Sequence, residues 1–177
     1  MAAVDLFTEQ GFDDTTVAQI TERAGLTKST FFRHFSDKRE VLAAGQEWLS
    51  LLLAEGIAAA PADTSVFDTL ALALDRVSGE MTSFNYELGP RLAAAVAANT
   101  ELQAREAMKT VGMAAAISEA FLARGLDAPT AQLAGELGVL AFRIGFGRWL
   151  ADKPGALLST HTRAALAELR TASAALS

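Results

Sequence analysis

Residues 15–38, TTVAQITERAGLTKSTFFRHFSDK, decide how the rest of the chain is interpreted. Apolar residues in the first half recur at the i, i+3 and i+7 spacing of one helix face: Val17, Ile20 and Ala24. Gly25 follows, where a helix end favours a residue that tolerates positive φ. Thr27 then offers a hydroxyl that can cap a second helix. The stretch predicts two short helices joined by a tight turn.

The second of these helices has two contrasting faces. Phe31 and Phe35 are four residues apart and are expected to point inward together. The opposite face carries polar side chains: Lys28, Ser29, Arg33 and His34. A short helix, a glycine turn and a second helix with donors at its start form the helix-turn-helix motif of DNA-binding proteins.

The same segment resembles the DNA-binding half of the TetR (tetracycline-repressor) family of transcriptional regulators. The matching positions are Phe7, Gly11, Phe12, Thr15, Thr16, Val17, Ile20, Ala24, Gly25, Leu26, Thr27, Ser29, Thr30, Phe31, Phe32, His34, Phe35, Lys38 and Leu42. The resemblance implies a three-helix DNA-binding head, followed by a larger helical body that binds a ligand and forms a dimer.

Composition is consistent with an all-α protein. Of 177 residues, 51% are hydrophobic, so a sizeable core can form, and only four are proline. The absence of cysteine excludes disulfides and thiolate metal sites, and fits a cytoplasmic location. No apolar run is long enough for a membrane span and no signal peptide is recognisable.

The net charge of −6 argues at first sight against a nucleic-acid partner, but the charges are unevenly distributed. Between residues 23 and 39 there are five basic residues (Arg23, Lys28, Arg33, Lys38 and Arg39) and one acid, Asp37, and five minus one gives a local charge of +4. Because phosphate attraction acts over about 10 Å at ordinary salt, such a patch can bind DNA on an acidic protein.

Periodicity and capping signals predict about nine helices and no strand. They cover residues 1–10, 15–24, 28–35, 38–60, 65–82, a short helix from Pro90, 100–124, 129–151 and 154–172. Capping boxes are predicted at Asp37–Glu40, Ser65–Asp68 and Thr100–Gln103. We place the DNA-binding domain in residues 1–45 and the ligand-binding and dimerisation domain in residues 46–177. Since the first helix begins abruptly, we expect that the basic N-terminal arm implied by the resemblance is missing.

The resemblance also implies which residues contact DNA. Lys28, Ser29 and Thr30, with Arg33, are the candidates for base edges, where Arg or Lys to guanine is the commonest specific contact. The candidates for phosphate contacts are Thr16, His34 and Lys38. Thr27 is expected to be a cap and also a contact.

Phe32 stands where the family most often has tyrosine. Its ring can pack on a sugar or a thymine methyl group, but it lacks the hydroxyl that would bind phosphate. Three alternatives stay open: Phe32 is structural, the two threonines at 16 and 27 are only caps, and Arg33 and Lys38 are ordinary solvated charges. His161, which no motif surrounds, is interpreted as a surface residue.

The body is expected to hold an apolar pocket between helices, a usual place for small-molecule sites. Candidate lining residues are Met81, Phe84, Tyr86, Met108, Val111, Phe121 and Phe142, with Asn85, Arg91 and Arg143 as polar fixing points. The alternative is that these residues are plain core or surface. Such a lining predicts an apolar or amphipathic effector.

Of the two long C-terminal helices, the first carries four glycines at positions 135, 138, 145 and 147, which indicates that another helix or a ligand comes close. By analogy with the family, these helices form a four-helix homodimer interface through Leu137, Leu140, Ile144, Trp149, Leu158, Ala165, Leu166 and Leu169.

The sequence thus predicts a ligand-responsive dimeric transcriptional regulator, a repressor that binds a palindromic operator on double-stranded DNA and is released by a small molecule. The alternatives are an all-α small-molecule-binding protein and a non-specific architectural DNA-binding protein. No catalytic constellation, metal site or phosphate-binding loop is recognisable, so neither an enzyme nor a cofactor is predicted.

Overall fold

The computed structural model describes the backbone of residues 2–176 and, except at residues 42–46 and 84, their side chains. Every regular element in this part of the chain is an α-helix. The nine helices are α1 (Ala2–Gln10), α2 (Val17–Arg23), α3 (Lys28–His34), α4 (Glu40–Ala59), α5 (Val66–Glu80), α6 (Ser83–Ala97), α7 (Thr100–Ala123), α8 (Ala128–Ala151) and α9 (Leu158–Ala174). The predicted all-α class is confirmed.

Short polar side chains start several of these helices. In each case the side-chain oxygen accepts a hydrogen bond from the backbone N–H three residues further on, which satisfies one of the free donors of the first turn. Such caps include Thr16 of α2, Thr27 of α3, Ser65 of α5 and Asp127 of α8. Gly25 and Gly125, with φ of 66° and 89°, follow the ends of α2 and α7 as the sequence predicted.

Two predicted helix starts were wrong because a proline was given too much weight. Pro90 lies inside α6, which begins at Ser83 because the Asn85 amide oxygen accepts a hydrogen bond of 2.9 Å from the Thr82 backbone N–H. Pro154 lies in a turn with Gly155, and α9 begins only at Leu158.

The capping box predicted at Thr100–Gln103 is displaced by one residue. The side-chain oxygen of Asn99 accepts a hydrogen bond of 3.1 Å from the Leu102 backbone N–H, so Asn99 is the cap of α7. Asparagine is at least as good a cap as threonine, and the sequence pattern alone did not distinguish the two.

The first compact unit comprises Met1–Gly45 and Glu87–Lys109. Its core holds Leu6, Phe7, Phe12, Ile20 and Phe31 from the N-terminal helices, together with Ala95 and Leu102 from α6 and α7. The Arg91 guanidinium lies 2.6 Å from the Asp5 carboxylate within the same unit. The sequence had assigned residues 87–109 to the second domain, whereas here they pack with the N-terminal helices.

The second unit comprises Gln46–Tyr86 and Thr110–Ser177. In it α8 packs along α9, and both pack against α5. A Cβ atom at Gly145 would lie 2.6 Å from the Thr162 Cα atom, and one at Gly135 would lie 2.5 Å from the Ala114 carbonyl oxygen. These two glycines therefore permit close helix contacts within the unit, whereas Gly147 has open space around it.

Candidate nucleic-acid interface

The position of α3 is fixed by aromatic packing on its inner face. Phe31 is only 4% exposed, and its ring centroid lies 5.3 Å from that of Phe35. The turn before α3 is held by a 2.8 Å hydrogen bond from the Leu26 backbone N–H to the Thr21 carbonyl oxygen. The opposite face of α3 is thereby directed to solvent.

The first turn of α3 presents two polar side chains that are available for binding. Thr27 is committed to capping, since its hydroxyl accepts a 3.1 Å hydrogen bond from the Thr30 backbone N–H and lies 3.0 Å from the Thr30 hydroxyl. Lys28 and Ser29 are exposed and make no hydrogen bond or ion pair with any residue that the structure describes. Both can therefore reach a ligand.

Further along the same helix, Arg33 and His34 are also exposed. Arg33 forms no ion pair within the described part of the chain, and His34 has only a ring contact with Phe35. Phe32, directly after the buried Phe31, is 55% exposed. The predicted DNA-contact residues of α3 therefore lie on one helix with exposed side chains, except for Thr30, which is partly buried and has its hydroxyl beside that of Thr27.

Thr16 is exposed and caps α2. The side chain of Gln19 accepts a hydrogen bond of 2.8 Å from the Thr16 backbone N–H, which completes a capping box. The T-x-x-Q spacing of these residues was a readable signal that the sequence analysis missed. The Thr16 hydroxyl is used in this box.

The basic patch is smaller than the charge count predicted. Arg23 pairs with Glu9 at 2.6 Å, and Arg39 pairs with Asp37 at 2.9 Å and with Glu101 at 2.8 Å. Hydrogen bonding to Glu101 and the nearby Asp37 charge raise the pKa of Arg39. Arg23 and Arg39 are thus paired with acids, and two of these acids, Glu9 and Glu101, lie outside residues 23–39.

Lys38 occupies a different place from the predicted phosphate contact. Its ammonium group donates hydrogen bonds to the backbone carbonyls of Phe12 at 2.6 Å, Asp13 at 3.0 Å and Thr15 at 2.8 Å. The Nζ atom also lies 4.5 Å from the centroid of the Phe12 ring. Because a lysine ammonium has three N–H donors, none is left for phosphate in this arrangement.

The start of α4 is likewise closed by the protein's own acids. Asp37 accepts hydrogen bonds from the backbone N–H groups of Arg39 at 2.7 Å and Glu40 at 3.0 Å. The Glu40 carboxylate accepts from the Ser36 N–H, whereas a complete Asp37–Glu40 capping box would use the N–H of Asp37. Burial raises the pKa of Asp37, but the hydrogen bonds from Glu40 and Arg39 outweigh it and the pKa is lowered. The N–H groups at this helix start are therefore already hydrogen-bonded and are not available to a DNA phosphate.

The residues predicted to line a ligand site are divided between the two units. Arg91 and Met108 belong to the first unit, where Arg91 is paired with Asp5 and Met108 is 65% exposed. Val111 is 61% exposed on α7. The side chain of Phe84 lies outside the described residues.

In the second unit, Phe121 and Phe142 belong to the hydrophobic core, as the alternative interpretation proposed. The Tyr86 ring lies edge-on to the Trp149 ring at 5.3 Å between centroids. Its hydroxyl donates a 2.7 Å hydrogen bond to the Asp152 carbonyl oxygen. These three aromatic candidates therefore stabilise the fold of this unit.

Met81 is the candidate that borders a cavity. The cavity has a volume of about 410 Å³, lies beside the end of α5 and the start of α9, and is lined by Asp75, Ser78, Gly79, Met81, Trp149, Ala156, Leu157, Leu158, Ser159 and Arg163. Asn85 is used to cap α6, and Arg143 is exposed on α8 without a partner in the described chain.

Half of the residues predicted for the dimer interface are core residues of the second unit. Trp149, Leu158, Ala165 and Leu166 are each at most 5% exposed, because α8 and α9 bury them against each other and against α5. Leu137, Ile144 and Leu169 are partly buried against the same core, and Leu140 is 41% exposed. Leu133, which the sequence analysis did not name, is 58% exposed.

The polar groups of the described chain do not assemble into a metal site, since no group of three or more His, Asp or Glu side chains is placed to hold an ion. His161 is partly buried, with its Nε2 atom 3.1 Å from the Asp152 carboxylate, and is not the plain surface residue that the sequence indicated. None of the described helices has both the length and the apolar character of a membrane span.

Known proteins share both the N-terminal sequence and the fold. Residues 1–44 match the model of the family described as bacterial regulatory proteins, tetR family. The HTH-type transcriptional regulator TcmR of Streptomyces glaucescens is 51% identical over 39 residues, which cover 22% of this chain and 17% of TcmR. The uncharacterized HTH-type transcriptional regulator TtgW of Pseudomonas putida is 44% identical over 43 residues, which cover 24% of this chain and 32% of TtgW. The chain therefore spans less than a third of the length of these relatives.

Two solved structures show the same fold over nearly the whole chain. A protein from Mesorhizobium loti MAFF303099, described as a TetR-family transcriptional regulator, has a TM-score of 0.60 at 20% identity, with 94% of this chain and 90% of that chain covered. The fatty acid degradation regulator FadR from Bacillus halodurans has a TM-score of 0.52 at 19% identity, with 93% and 89% covered.

Proposed function

We propose that this chain, which belongs to the tetR family of bacterial regulatory proteins, is a transcriptional regulator that reads DNA through α3. The observation that carries the proposal is the outer face of α3. Lys28, Ser29 and Arg33 are exposed and unpaired there within the described chain, while Phe31 anchors the helix from behind. A rigid helix with short polar and basic side chains suits the major groove, and Lys and Arg are the residues that most often contact guanine.

The proposed regulator acts as a homodimer on an inverted repeat. Two copies of α3 then enter successive major grooves about 34–36 Å apart. The outer face of α8 offers an apolar stripe for the second copy, with Leu133, Leu137, Leu140 and Ile144 at i, i+4, i+7 and i+11. Its two most exposed members, Leu133 at 58% and Leu140 at 41%, supply the surface that would be buried.

The proposed effector is an apolar or amphipathic small molecule bound in the second unit. One part of the wall of the cavity beside Met81 is apolar and includes Trp149, Leu157 and Leu158, and the other part is polar. An ion pair between Arg163 and Asp75, with Nε and Oδ1 2.8 Å apart, lies at the same cavity and can orient a polar end. To move a repressor from bound to released almost completely, the effector must prefer the released state by about 10⁴-fold.

Selection of duplexes from a random-sequence pool tests the proposal. The protein is expected to enrich an inverted repeat whose half-site centres are about one helical turn apart. In fluorescence anisotropy on the enriched duplex, Lys28→Ala is expected to weaken binding by about 1–3 kcal/mol and to relax the base preference at one position in each half-site. The matched control is Lys153→Ala, an exposed lysine of the second unit, which is expected to bind as the parent does.

The same experiment separates the alternatives. A non-specific architectural protein would bind the starting pool as tightly as the enriched duplex, and a small-molecule-binding protein without DNA function would enrich nothing. Thermal-shift screening with apolar and amphipathic metabolites then identifies effectors, which must also lower the anisotropy of the protein–DNA complex.

A further inference from the structure

Phe32 is an exposed aromatic residue on the face that is proposed to enter DNA. Its side chain is 55% exposed, although a phenyl ring has no polar group that gains from contact with water. Lys28 precedes Phe32 by four residues, so the two side chains are neighbours on the same side of α3. Because a phenyl ring can make no hydrogen bond, its contribution to binding is largest against an apolar group.

The ring is also held in a defined direction. The centroids of the Phe32 and Phe31 rings are 5.5 Å apart, and the ring planes meet at 85°, an edge-to-face arrangement that aromatic pairs favour. Phe31 is itself buried at 4% exposure and packs on Phe35. A ring supported in this way loses little conformational freedom on binding, so its contact can discriminate between small groups.

The major groove presents one apolar group, the C5-methyl of thymine, beside the hydrogen-bonding edges of the bases. We propose that Phe32 reads this methyl group and specifies a thymine in each half-site. This assignment rests on the proposed function and adds to it an apolar determinant beside the polar ones. The absence of a hydroxyl on the ring favours the methyl group over a phosphate oxygen, since phenylalanine can make no hydrogen bond.

Uracil substitution tests the assignment, because uracil differs from thymine only by the missing methyl group. The probe is the duplex that the parent protein enriches from a random pool, with each thymine replaced singly by uracil. At one position in each half-site, uracil is expected to weaken parent binding by about fourfold, the factor that corresponds to burial of one methyl-sized group. Phe32→Ala is expected to bind thymine and uracil duplexes equally at that position.

Two further variants test whether the discrimination between thymine and uracil belongs to the Phe32 side chain. Phe32→Leu retains an apolar side chain and is expected to keep part of the discrimination. Leu26→Ala removes another exposed apolar side chain, 51% exposed in the turn before α3, and is expected to keep the full discrimination. Urea unfolding of all three variants checks that each remains folded.

The outcomes distinguish this assignment from the function on which it rests. If the parent enriches a sequence but no uracil position loses its effect in Phe32→Ala, the thymine assignment is overturned and the proposed function stands. A uniform loss of affinity in Phe32→Ala, equal for thymine and uracil at every position, also overturns the assignment and points to contact with the sugar–phosphate backbone. If the parent enriches nothing, the proposed function fails, and this assignment fails with it.

Discussion

Replacement of Lys38 by methionine tests whether this residue stabilises the fold or contacts a DNA phosphate. The substitution removes the ammonium group and keeps an unbranched stem. In the structure the ammonium joins the carbonyls of Phe12, Asp13 and Thr15, which lie in the segment between α1 and α2. We therefore expect the loss of stability to be large, and the effect on DNA binding to follow from that loss.

The magnitude follows from the three contacts. The bonds to Phe12 and Thr15 are partly buried, whereas that to Asp13 is exposed. A hydrogen bond to a charged group contributes about 1.5–3 kcal/mol, so the two partly buried bonds at the low end give about 3 kcal/mol. Loss of the cation–π contact with Phe12 adds about 0.5 kcal/mol, and access of water to the carbonyls offsets a part. The net expectation is a free energy of unfolding lower by about 2–3 kcal/mol.

Urea unfolding and thermal melting measure this change. For a chain of this size the expected decrease corresponds to a Tm about 5–10 °C lower. Lys28→Met is the matched control, because Lys28 is exposed and unpaired within the described chain and its loss should change stability by no more than about 0.5 kcal/mol.

The opposite result would refute the reasoning. Lys38→Met would then unfold within about 0.5 kcal/mol of the parent, and the slope of log K against log salt for DNA binding would decrease by about 1 for each head. That pair of observations would restore Lys38 to the phosphate contact that the sequence predicted.

Substitutions at four other positions test the helix contacts and caps of the second unit. Gly145→Ala is expected to destabilise by about 1–3 kcal/mol because its new Cβ atom meets the α9 backbone, whereas Gly147→Ala, with open space, is expected to stabilise by up to about 1 kcal/mol; urea midpoints with unchanged m-values check both. Arg124→Met removes hydrogen bonds to three carbonyls at the end of α4 and is expected to lower the Tm, with Arg124→Lys intermediate; equal melting of both variants and the parent would contradict this. The backbone hydrogen bond from Thr130 lowers the pKa of the Asp127 carboxyl. The contribution of this carboxylate to stability is therefore fully present above its ordinary pKa and is lost as the pH falls through the lower pKa of the folded state. The difference in stability between the parent and Asp127→Ala should close below about pH 4.

Local signals in the sequence were sufficient for much of the fold. Caps such as Thr27, Ser65 and the glycine after α2 act through bonds that span only a few residues, so their spacing predicts them directly. Prolines are ambiguous signals, because a proline is compatible with the helical turn that follows it but disfavours the turn that precedes it. Pro90 is accepted inside α6 and Pro154 in a turn, and only the neighbouring cap at Thr82 distinguishes the cases.

Long-range contacts set the limit for the candidate site. Lys38 donates hydrogen bonds to carbonyls that lie 23 to 26 residues earlier in the chain, and Arg39 pairs with Glu101, which lies 62 residues later. Neither pairing has a spacing rule that a single sequence could display. The dimer prediction failed at Trp149 and Leu166 for a related reason, because an apolar helix face looks the same whether its partner is in the same chain or in a second copy.

The distribution of partners among the basic residues explains how an acidic chain can carry a DNA-binding face. Arg23 and Arg39 are paired with acids, and Lys38 donates to carbonyls, which leaves Lys28 and Arg33 as the unpaired cations of residues 23–39 within the described chain. The proposed function assigns these two residues to DNA. Counterion release scales with the number of phosphates neutralised, so a face with few unpaired cations gains little non-specific affinity. Under the proposed function, binding then depends on contacts with base edges and on a second copy of the head. A small basic patch beside short polar and apolar side chains is therefore better suited to a sequence-specific dimer than to an architectural protein.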